Sequence, residues 1–371
     1  MRARPVAVPS PADKVLEPTL VPNQTPAFSS RWRGALARSR LVRAVRPWTG
    51  LATCLMYHRI CPDQARFDDL TPGFAPNREL SVTVSEFDAQ MAFVAQHFHC
   101  LSLPEAIDQL ARGELPPRSL IVTFDDGYLD NLTLALPILR KHAIPATVYI
   151  ATGLIDQAEL PWWYELEQRI AMSDGFALDW NKQRLRFSTT DAGTKLQAFN
   201  TLNPMIKLME PAEQARFMGL LRECSIRRAE EKHQLMRRHQ LSELAKDPLI
   251  TIGAHTHNHL ALRSLTPIRM RQEIIHSKEL LENWLERPIE HLAYPFGGQT
   301  QASTREFSAA AELGFSSAVT TQLGHIQRFH KNHLLALPRI GIGYADCMAR
   351  FEWKLSGLYS MVRRPRSRVA H

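Results

Sequence analysis

The sequence of 371 residues predicts an α/β fold, a distorted (β/α) barrel of about seven strands. Short apolar runs containing β-branched residues alternate with segments of helical periodicity. This alternation of strand, helix and strand implies parallel pairing with right-handed crossovers. Two of the apolar runs end abruptly in carboxylates or histidines. Because the carboxyl ends of parallel strands meet at one rim of a barrel, the sequence predicts a functional site at that rim.

The first predicted strand covers residues 51–57 and is directly followed by His58. Ser85 is predicted to cap the helix that follows, because apolar residues recur after it at helical spacing. Pro104 is expected to open the next helix and Gly113 to close it. His58 therefore lies at the carboxyl end of a strand, on the predicted rim.

The next apolar run, from Leu120 to Phe124, ends in Asp125, Asp126 and Gly127. It predicts a buried strand that delivers two carboxylates to the rim. An isolated Asp-Asp-Gly also makes a turn, with the second aspartate capping the following helix. The aspartates need a second motif to become site candidates.

That second motif is the run H-T-H-N-H at residues 255–259, which follows a short apolar strand at residues 249–254. Histidines four apart lie on one face of a helical turn, so His255 and His259 are predicted to point at a common centre. Two imidazoles and one carboxylate form a ligand set typical of a catalytic zinc ion. A lone histidine is more often a core or surface residue, but this cluster favours a metal site formed by His255, His259 and one of the two aspartates.

The interval from about Asp156 to Asp247 interrupts the alternation. It contains the run W-W-Y at residues 162–164, a predicted hairpin around residues 181–182 and basic helical segments. It joins two strands that bear site residues, so we expect a mainly helical insertion above the rim that affects substrate choice. Packing on the outside of the barrel is an equally consistent alternative.

Regular alternation resumes after the insertion. The remaining predicted elements are a long helix from Thr266-Pro267, a strand and loop at 291–295, a helix capped by Ser303, a strand at 316–320, a last strand at 335–337 with Arg339 at its end, and an apolar helical stripe from Phe351 to Val362. The domain organisation predicted is a disordered and basic segment at 1–50, a catalytic domain at 51–345 with its insertion at 156–247, and a C-terminal helix and basic tail at 346–371.

Composition narrows the class of protein. The formal net charge is +8 and the pI about 9.4, but much of the excess lies at the two ends and basic residues are not interleaved with aromatic ones, so no nucleic-acid partner is expected. The five cysteines show neither a disulfide framework nor metal-binding spacing.

Residues 1–5 are followed by no apolar signal core, which predicts a cytoplasmic protein. The segment at 31–46 is a loosely amphipathic basic helix, suited to peripheral membrane contact or to lying on the protein itself.

The motifs T-F-D-D-G at 123–127, H-T-x-x-H at 255–259 and A-Y-P-F-G at 293–297 resemble those of the polysaccharide deacetylase family, also called the NodB-homology or carbohydrate esterase 4 family. Further similarity lies in M-Y-H-R-I at 56–60 and L-P-R-I at 337–340. The resemblance spans about residues 51–345 and implies the NodB-homology barrel. The Tyr-His after the first strand is similar to the branch that acts in exopolysaccharide pathways.

The resemblance implies a role for each matched residue. Asp125 corresponds to the general base, Asp126, His255 and His259 to the metal ligands, and His58 to the general acid. The residues of the third motif, Tyr294, Pro295 and Phe296, correspond to an oxyanion and substrate region. The family's usual arginine in this motif is replaced by Ala293, so Arg339 is expected either to substitute for it or to have a structural role at a strand end.

The resemblance implies a metal-dependent hydrolase that removes N-acetyl groups from amino sugars. Its expected substrate is a polysaccharide, an oligosaccharide or a lipid-linked glycan precursor, and its expected cofactor is a divalent metal, Zn²⁺ above all. An O-acetyl esterase uses the same chemistry and is one alternative. A catalytically silent carbohydrate-binding protein of the same fold is another, although the intact Asp125 argues against it.

Overall fold

The structure, a computed structural model, describes residues 51–65, 71–156, 160–224 and 235–363. The predictions for residues 1–50, including disorder and the basic helix, lie outside the described residues and stay predictions. The same holds for the basic tail beyond residue 363.

Seven parallel strands form a closed ring. In chain order the strands are β1 (Ala52–Tyr57), β2 (Arg59–Cys61), β3 (Ser81–Thr83), β4 (His99–Cys100), β5 (Ser119–Phe124), β6 (Ala146–Ile150), β7 (Gly175–Trp180), β8 (Gln183–Ser188), β9 (Ile250–Ala254), β10 (His291–Ala293), β11 (Ser317–Leu323) and β12 (Leu337–Gly341). The ring runs β1, β12, β11, β10, β9, β6 and β5, and it closes because β1 pairs with both β12 and β5. The prediction of an α/β barrel of about seven strands is confirmed.

Helices follow the strands of the ring and cover it. They are α1 (Val84–His97), α2 (Leu103–Arg112), α3 (Leu136–His142), α4 (Trp162–Ala171), α5 (Ala192–Lys207), α6 (Pro211–Glu223), α7 (Arg238–Ala245), α8 (Pro267–Leu285), α9 (Thr304–Glu312), α10 (Met348–Leu355) and α11 (Leu358–Arg363). The predicted N-cap of α1, Ser85, was wrong, because the helix begins two residues earlier. Thr83, not Ser85, has the extended backbone of a cap, and its side chain accepts a hydrogen bond from the Glu86 N–H.

The two-residue period of the strands separates the barrel interior from its helix-covered outside. In β5, Val122 and Phe124 pack in the large cluster that includes α1, whereas Ile121 belongs to a separate cluster with Cys54 of β1. Residues of α2 join this second cluster, so α2 packs against the barrel interior. By the same alternation Asp125 lies on the interior side of β5, two residues after Thr123.

The segment between β6 and β9 packs around an apolar core of its own, built from α4, the β7–β8 hairpin, α5 and α6. Its central buried side chains include Leu166, Trp180 and Phe217. The hairpin turns at Asn181 and Lys182, which both have positive φ, +49° and +66°. Two such residues make the turn that matches the twist of a hairpin, so the prediction around these residues is confirmed.

Two predictions near the C-terminus were wrong in detail. Arg339 lies in the middle of β12 and not after a strand, although Pro338 precedes it. The β11–β12 pairing shifts register here, and an irregular pairing tolerates a residue without an N–H. The predicted apolar stripe is divided between α10 and α11 at Gly357, whose φ is +83°. Phe351 is buried, but Val362 is 72% exposed.

Within the part of the chain that the structure describes, no helix is both long and apolar enough to cross a bilayer.

Candidate metal centre and active site

The predicted carboxylates and histidines meet at the carboxyl rim of the barrel. Asp125 and Asp126 follow β5, and His255 follows β9, with His259 four residues later. All four side chains are buried, at between 2% and 8% of full exposure. A buried group of this kind needs compensation by partners or by a metal ion.

Asp126, His255 and His259 present one ligand atom each to a common point. The Asp126 Oδ1 atom is 3.4 Å from Nε2 of His255 and 3.2 Å from Nε2 of His259. Metal–ligand bonds of about 2.0–2.1 Å in tetrahedral geometry separate two ligand atoms by roughly 3.3 Å. The Asp126 Oδ1 atom is also buried without a hydrogen-bond donor among the described residues. The donor set therefore fits a small divalent cation.

The ring of His255 is oriented by the strand beside it. Its Nδ1 lies 2.8 Å from the carbonyl oxygen of Ala293 in β10, so the neutral ring donates there and turns Nε2 towards Asp126. The ring of His259 is positioned by aromatic contacts instead. Its centre is 5.1 Å from that of Trp163 and 4.7 Å from that of Phe296.

The two histidines do not lie on a helical turn, as their spacing predicted. Residues 255–259 form an irregular loop in which Thr256 and His259 both have positive φ, +63° and +54°. Asp126 likewise has a φ of +77° and Phe296 of +60°. Left-handed backbone at non-glycine residues is strained and is commonly found at functional sites.

The histidine loop is held by residues that the sequence analysis missed. Glu273, buried on α8, accepts hydrogen bonds from the Asn258 N–H and from the Asn258 side-chain amide, both at 2.8 Å. The N–H of Gly153 donates to the His257 carbonyl at 2.8 Å, and a Cβ on this glycine would be only 2.7 Å from the same oxygen. A signal for Glu273 exists in the sequence, since it interrupts the buried stripe of α8 that includes Met270 and Ile274.

Asp125 forms a two-pronged ion pair with Arg339. Both carboxylate oxygens accept from the guanidinium at 2.7 Å, and the same guanidinium donates to the Thr123 hydroxyl and the Thr320 carbonyl. Burial is the largest influence on Asp125 and alone would raise its pKa, but the charge and hydrogen bonds of Arg339, together with the nearby His255 and His58, lower it. Asp125 is thus an ionised carboxylate that is fixed in direction and separate from the metal ligands.

His58 follows β1 and is half-buried at the same rim. Its positive charge is among the smaller influences that lower the pKa of Asp125 and of Asp126. His325, a histidine late in the chain, bonds to Thr53, near the opposite end of β1, at 2.9 Å. The structure therefore brings His58 to the predicted site and places His325 away from it. The role of His58 as an acid stays a prediction.

Within the third motif, the Phe296 ring contacts a proposed metal ligand, whereas the Tyr294 ring lies in the core. The Tyr294 side chain lies in the core, where its hydroxyl donates to the Leu335 carbonyl at 3.0 Å, so it does not line the site. The turn after β10 directs the ring inward, and the assignment of Tyr294 to an oxyanion and substrate region stays a prediction. Pro295 is buried, while the half-buried Phe296 ring contacts His259.

The insertion reaches this site through two side chains. Trp163 of α4 packs against the His259 ring, and its Nε1 donates to the Tyr128 hydroxyl at 3.3 Å. Lys207, the last residue of α5, places its ammonium 4.0 Å from the centre of the Phe296 ring. These contacts position part of the insertion over the carboxyl rim.

Comparisons with a family profile and with known proteins indicate the same protein family. The profile of the polysaccharide deacetylase family matches residues 112–202 and 205–318, which together are more than half of the chain. The chain is 23% identical over 291 residues to YxkH of Bacillus subtilis, named as a polysaccharide deacetylase, covering 78% of this chain and 71% of that protein. It is 33% identical over 111 residues to the poly-β-1,6-N-acetyl-D-glucosamine N-deacetylase of Staphylococcus aureus, but this covers only 29% of this chain and 38% of that enzyme.

Solved structures share the fold. The Streptococcus pyogenes deacetylase PplD, in complex with acetate, aligns with a TM-score of 0.54 and 21% identity, covering 82% of this chain and 97% of that one. IcaB from Ammonifex degensii aligns with a TM-score of 0.52 and 16% identity, covering 84% and 97%. Both likenesses show that these two proteins share the barrel fold described above.

Proposed function

The chain belongs to the polysaccharide deacetylase family, and we propose that it removes N-acetyl groups from amino sugars of a glycan by metal-dependent hydrolysis. One observation carries the proposal. A buried Asp-His-His cluster lies beside an ionised aspartate, Asp125, that is not itself part of the cluster. Metal-dependent amide hydrolysis uses these two functions together, a metal to polarise the acyl group and a base to take a proton from water.

We propose zinc as the metal. The ligand atoms of Asp126, His255 and His259 lie within 4.8 Å of one another, and nitrogen and carboxylate donors of this kind suit zinc in a catalytic site. A bound zinc ion supplies Lewis acidity, which lowers the pKa of water to about 7 and polarises a carbonyl oxygen. Three protein ligands leave room in the site for water and substrate.

Asp125 is proposed to be the general base. Arg339 holds its carboxylate in one direction through two hydrogen bonds and favours the ionised form, which is the form that accepts a proton. Arg339 is buried completely and donates to Thr123 and Thr320 as well, so its own position is fixed. Arg339 is therefore a positioning residue that acts through Asp125.

His58 is proposed to protonate the departing amine. An amine is a poor leaving group until it is protonated, and histidine titrates in the range that proton transfer at neutral pH requires. His58 lies on the same rim as Asp125, at the end of the strand that pairs with β5. This division gives proton removal and proton donation to residues of two neighbouring strands.

The substrate we propose is an N-acetylated polymer, oligosaccharide or lipid-linked precursor. The name of the Staphylococcus aureus relative gives poly-β-1,6-N-acetyl-D-glucosamine as its substrate, which supports an N-acetylglucosamine glycan for this chain. The segment at residues 31–46, outside the described residues, is proposed to contact an anionic membrane surface from the cytoplasmic side. Co-sedimentation with anionic vesicles, compared for the full chain and a chain lacking residues 1–50, tests that contact.

The proposed reaction is tested by incubating the zinc-loaded protein with β-1,6-linked N-acetylglucosamine oligomers and measuring acetate release and product mass. We expect the wild type to release acetate from the oligomers and the Asp125→Asn variant to release it about 10²- to 10⁴-fold more slowly at equal protein concentration. We also expect a slower reaction of the wild type on matched O-acetylated sugars. Release of acetate from the O-acetyl esters alone would replace N-deacetylation by the esterase alternative. Oligomer binding without any acetate release would support the silent carbohydrate-binding alternative.

A further inference from the structure

Lys207 is a charged residue of the insertion that the proposed reaction does not use. Its Nζ lies 4.0 Å from the centre of the Phe296 ring, and that ring lies 4.7 Å from the ring of His259. Only one aromatic side chain therefore separates the ammonium from a proposed metal ligand. A neighbouring sugar of the glycan, or a substituent on the acetylated sugar, is long enough to reach from the proposed metal centre to Lys207.

Lys207 also differs from the other lysines and arginines that are buried or half-buried. It is half-buried, and within the described ranges it has no carboxylate or carbonyl acceptor. Every other lysine or arginine of those ranges that is buried or half-buried donates to a carboxylate or to a backbone carbonyl; these are Arg59, Arg169, Lys195, Arg269, Arg271, Lys278, Arg287, Arg305, Arg339, Arg350 and Lys354.

A sheltered ammonium without an acceptor is costly, because burial removes hydration that no protein oxygen replaces. Burial accordingly lowers the pKa of Lys207. The Phe296 ring offsets part of the cost through a cation–aromatic contact. A ligand anion beside the ammonium would offset far more, because it provides both a hydrogen-bond acceptor and the opposite charge.

We propose that Lys207 binds an anionic group of the glycan, a carboxylate or a phosphate, next to the sugar that is deacetylated. The inference rests on the proposed deacetylation and adds to it a substrate class, an acidic glycan or a phosphorylated glycan precursor. A neutral sugar hydroxyl could accept a hydrogen bond from Lys207 but would leave its charge uncompensated. The two anions share the required chemistry, and the substrates used in the test distinguish them.

The test compares the zinc-loaded wild type with Lys207→Met and Lys207→Arg. Three substrates are used: a neutral N-acetylglucosamine oligomer, an oligomer alternating N-acetylglucosamine with glucuronic acid, and UDP-N-acetylglucosamine, in which a diphosphate is attached to the sugar. We expect Lys207→Met to raise KM for one of the anionic substrates about tenfold more than for the neutral oligomer. Lys207→Arg should restore most of the difference.

Arg216→Met is the matched control. Arg216 also belongs to the insertion and lies 4.5 Å over an aromatic ring, but its partner Trp180 packs within the insertion's own core. This variant removes the same charge and the same kind of contact away from the site. It should leave KM for all three substrates unchanged.

Equal changes of KM on neutral and anionic substrates in Lys207→Met would overturn the proposal, because a residue that only packs the insertion on the barrel affects both alike. No preference of the wild type for either anionic substrate would overturn it too. A binding measurement separates this inference from the proposed reaction. If no substrate is hydrolysed, calorimetry with Asp125→Asn must still show anionic sugars bound more weakly after Lys207→Met; unchanged affinity rejects the anion site.

Discussion

The buried charges of the barrel rim and two half-buried charges of the insertion, Lys207 and Glu167, differ in how they are compensated. At the barrel rim, Asp125 and Arg339 are both buried and bond to each other at 2.7 Å through both oxygens of the carboxylate. In the insertion, Lys207 has no acceptor among the described residues, and Glu167 has only the amide and N–H groups of Asn77 as partners. Burial consequently raises the pKa of Glu167 to about 7.

This difference separates two tasks. Charges that must act on the reacting atoms are compensated inside the protein, so their protonation and direction are set before substrate arrives. Lys207 and Glu167 of the insertion are left for solvent or ligand to compensate, unlike Arg169 and Lys195 of the same segment, which bond to protein oxygens. Variants that break a barrel pair should therefore damage the reaction or the fold strongly. Variants of the insertion should change substrate preference or pH dependence by smaller amounts.

The largest expected effect follows from Asp125→Asn. The amide keeps the shape of the side chain but cannot take a proton, so we expect kcat to fall by about 10²- to 10⁴-fold, the usual contribution of a general base. Single-turnover deacetylation of an N-acetylglucosamine oligomer measures this. A fall of less than about threefold would mean that another group acts as the base.

Arg339→Leu should cost stability as well as activity. It leaves the Asp125 carboxylate buried without its counter-charge, and removal of one partner of a buried pair typically costs about 3–5 kcal/mol. Urea unfolding of the two proteins gives the difference in free energy. The double variant Asp125→Asn, Arg339→Leu removes both charges and should recover part of that loss; if it is no more stable than Arg339→Leu, the buried charge is not the cause.

A smaller effect is expected from Glu273→Ala, which releases the loop that carries His255 and His259. Substitution of a residue that orients metal ligands commonly lowers metal affinity by about 10- to 100-fold, and we expect a loss of zinc affinity in this range. Competition with a zinc chelator measures it. Glu279→Ala, on the exposed face of the same helix, is the control and should bind zinc as the wild type does. Equal affinities for all three proteins would show that the loop does not need Glu273.

The smallest effect concerns the insertion and depends on pH. The pKa of Glu167 in the folded protein is about 7, whereas the ordinary value of a glutamate is 4.5, so its carboxyl favours the folded state fully below about pH 4.5 and progressively less as pH rises to 7. Glu167→Gln keeps an acceptor for Asn77 without the charge. We expect it to be more stable than the wild type by about 1–3 kcal/mol at pH 8 and equal to it near pH 4. A stability difference independent of pH would contradict the raised pKa.

The sequence predicts most of the structural features that depend on residues adjacent in the chain. The ends of β5 and β9, and therefore Asp125, Asp126 and His255, follow from local apolar runs. The hairpin turn at Asn181 likewise follows from residues that tolerate positive φ. The predictions that were wrong involve tertiary packing. The sequence predicts that the last strand ends before Pro338, but an irregular pairing with β11 accommodates this proline and carries Arg339 to the barrel interior.

Other features depend on contacts between residues far apart in the chain. The spacing of His255 and His259 indicates convergence but does not reveal that a strained loop, tied to Glu273, produces it. The inward direction of the Tyr294 ring depends on core space beneath β10. The contact of Lys207 with Phe296 joins the insertion to the barrel, and no local pattern predicts the partner of a single lysine.

The central claim is that Asp126, His255 and His259 hold the metal while Asp125 does not. Elemental analysis of wild type, Asp126→Asn, His259→Ala and Asp125→Asn, each purified with zinc and then freed of excess metal, tests it directly. We predict that the wild type and Asp125→Asn retain equal zinc, whereas Asp126→Asn and His259→Ala lose it. Zinc lost from Asp125→Asn and kept in Asp126→Asn would reverse the roles of the two aspartates and contradict the account.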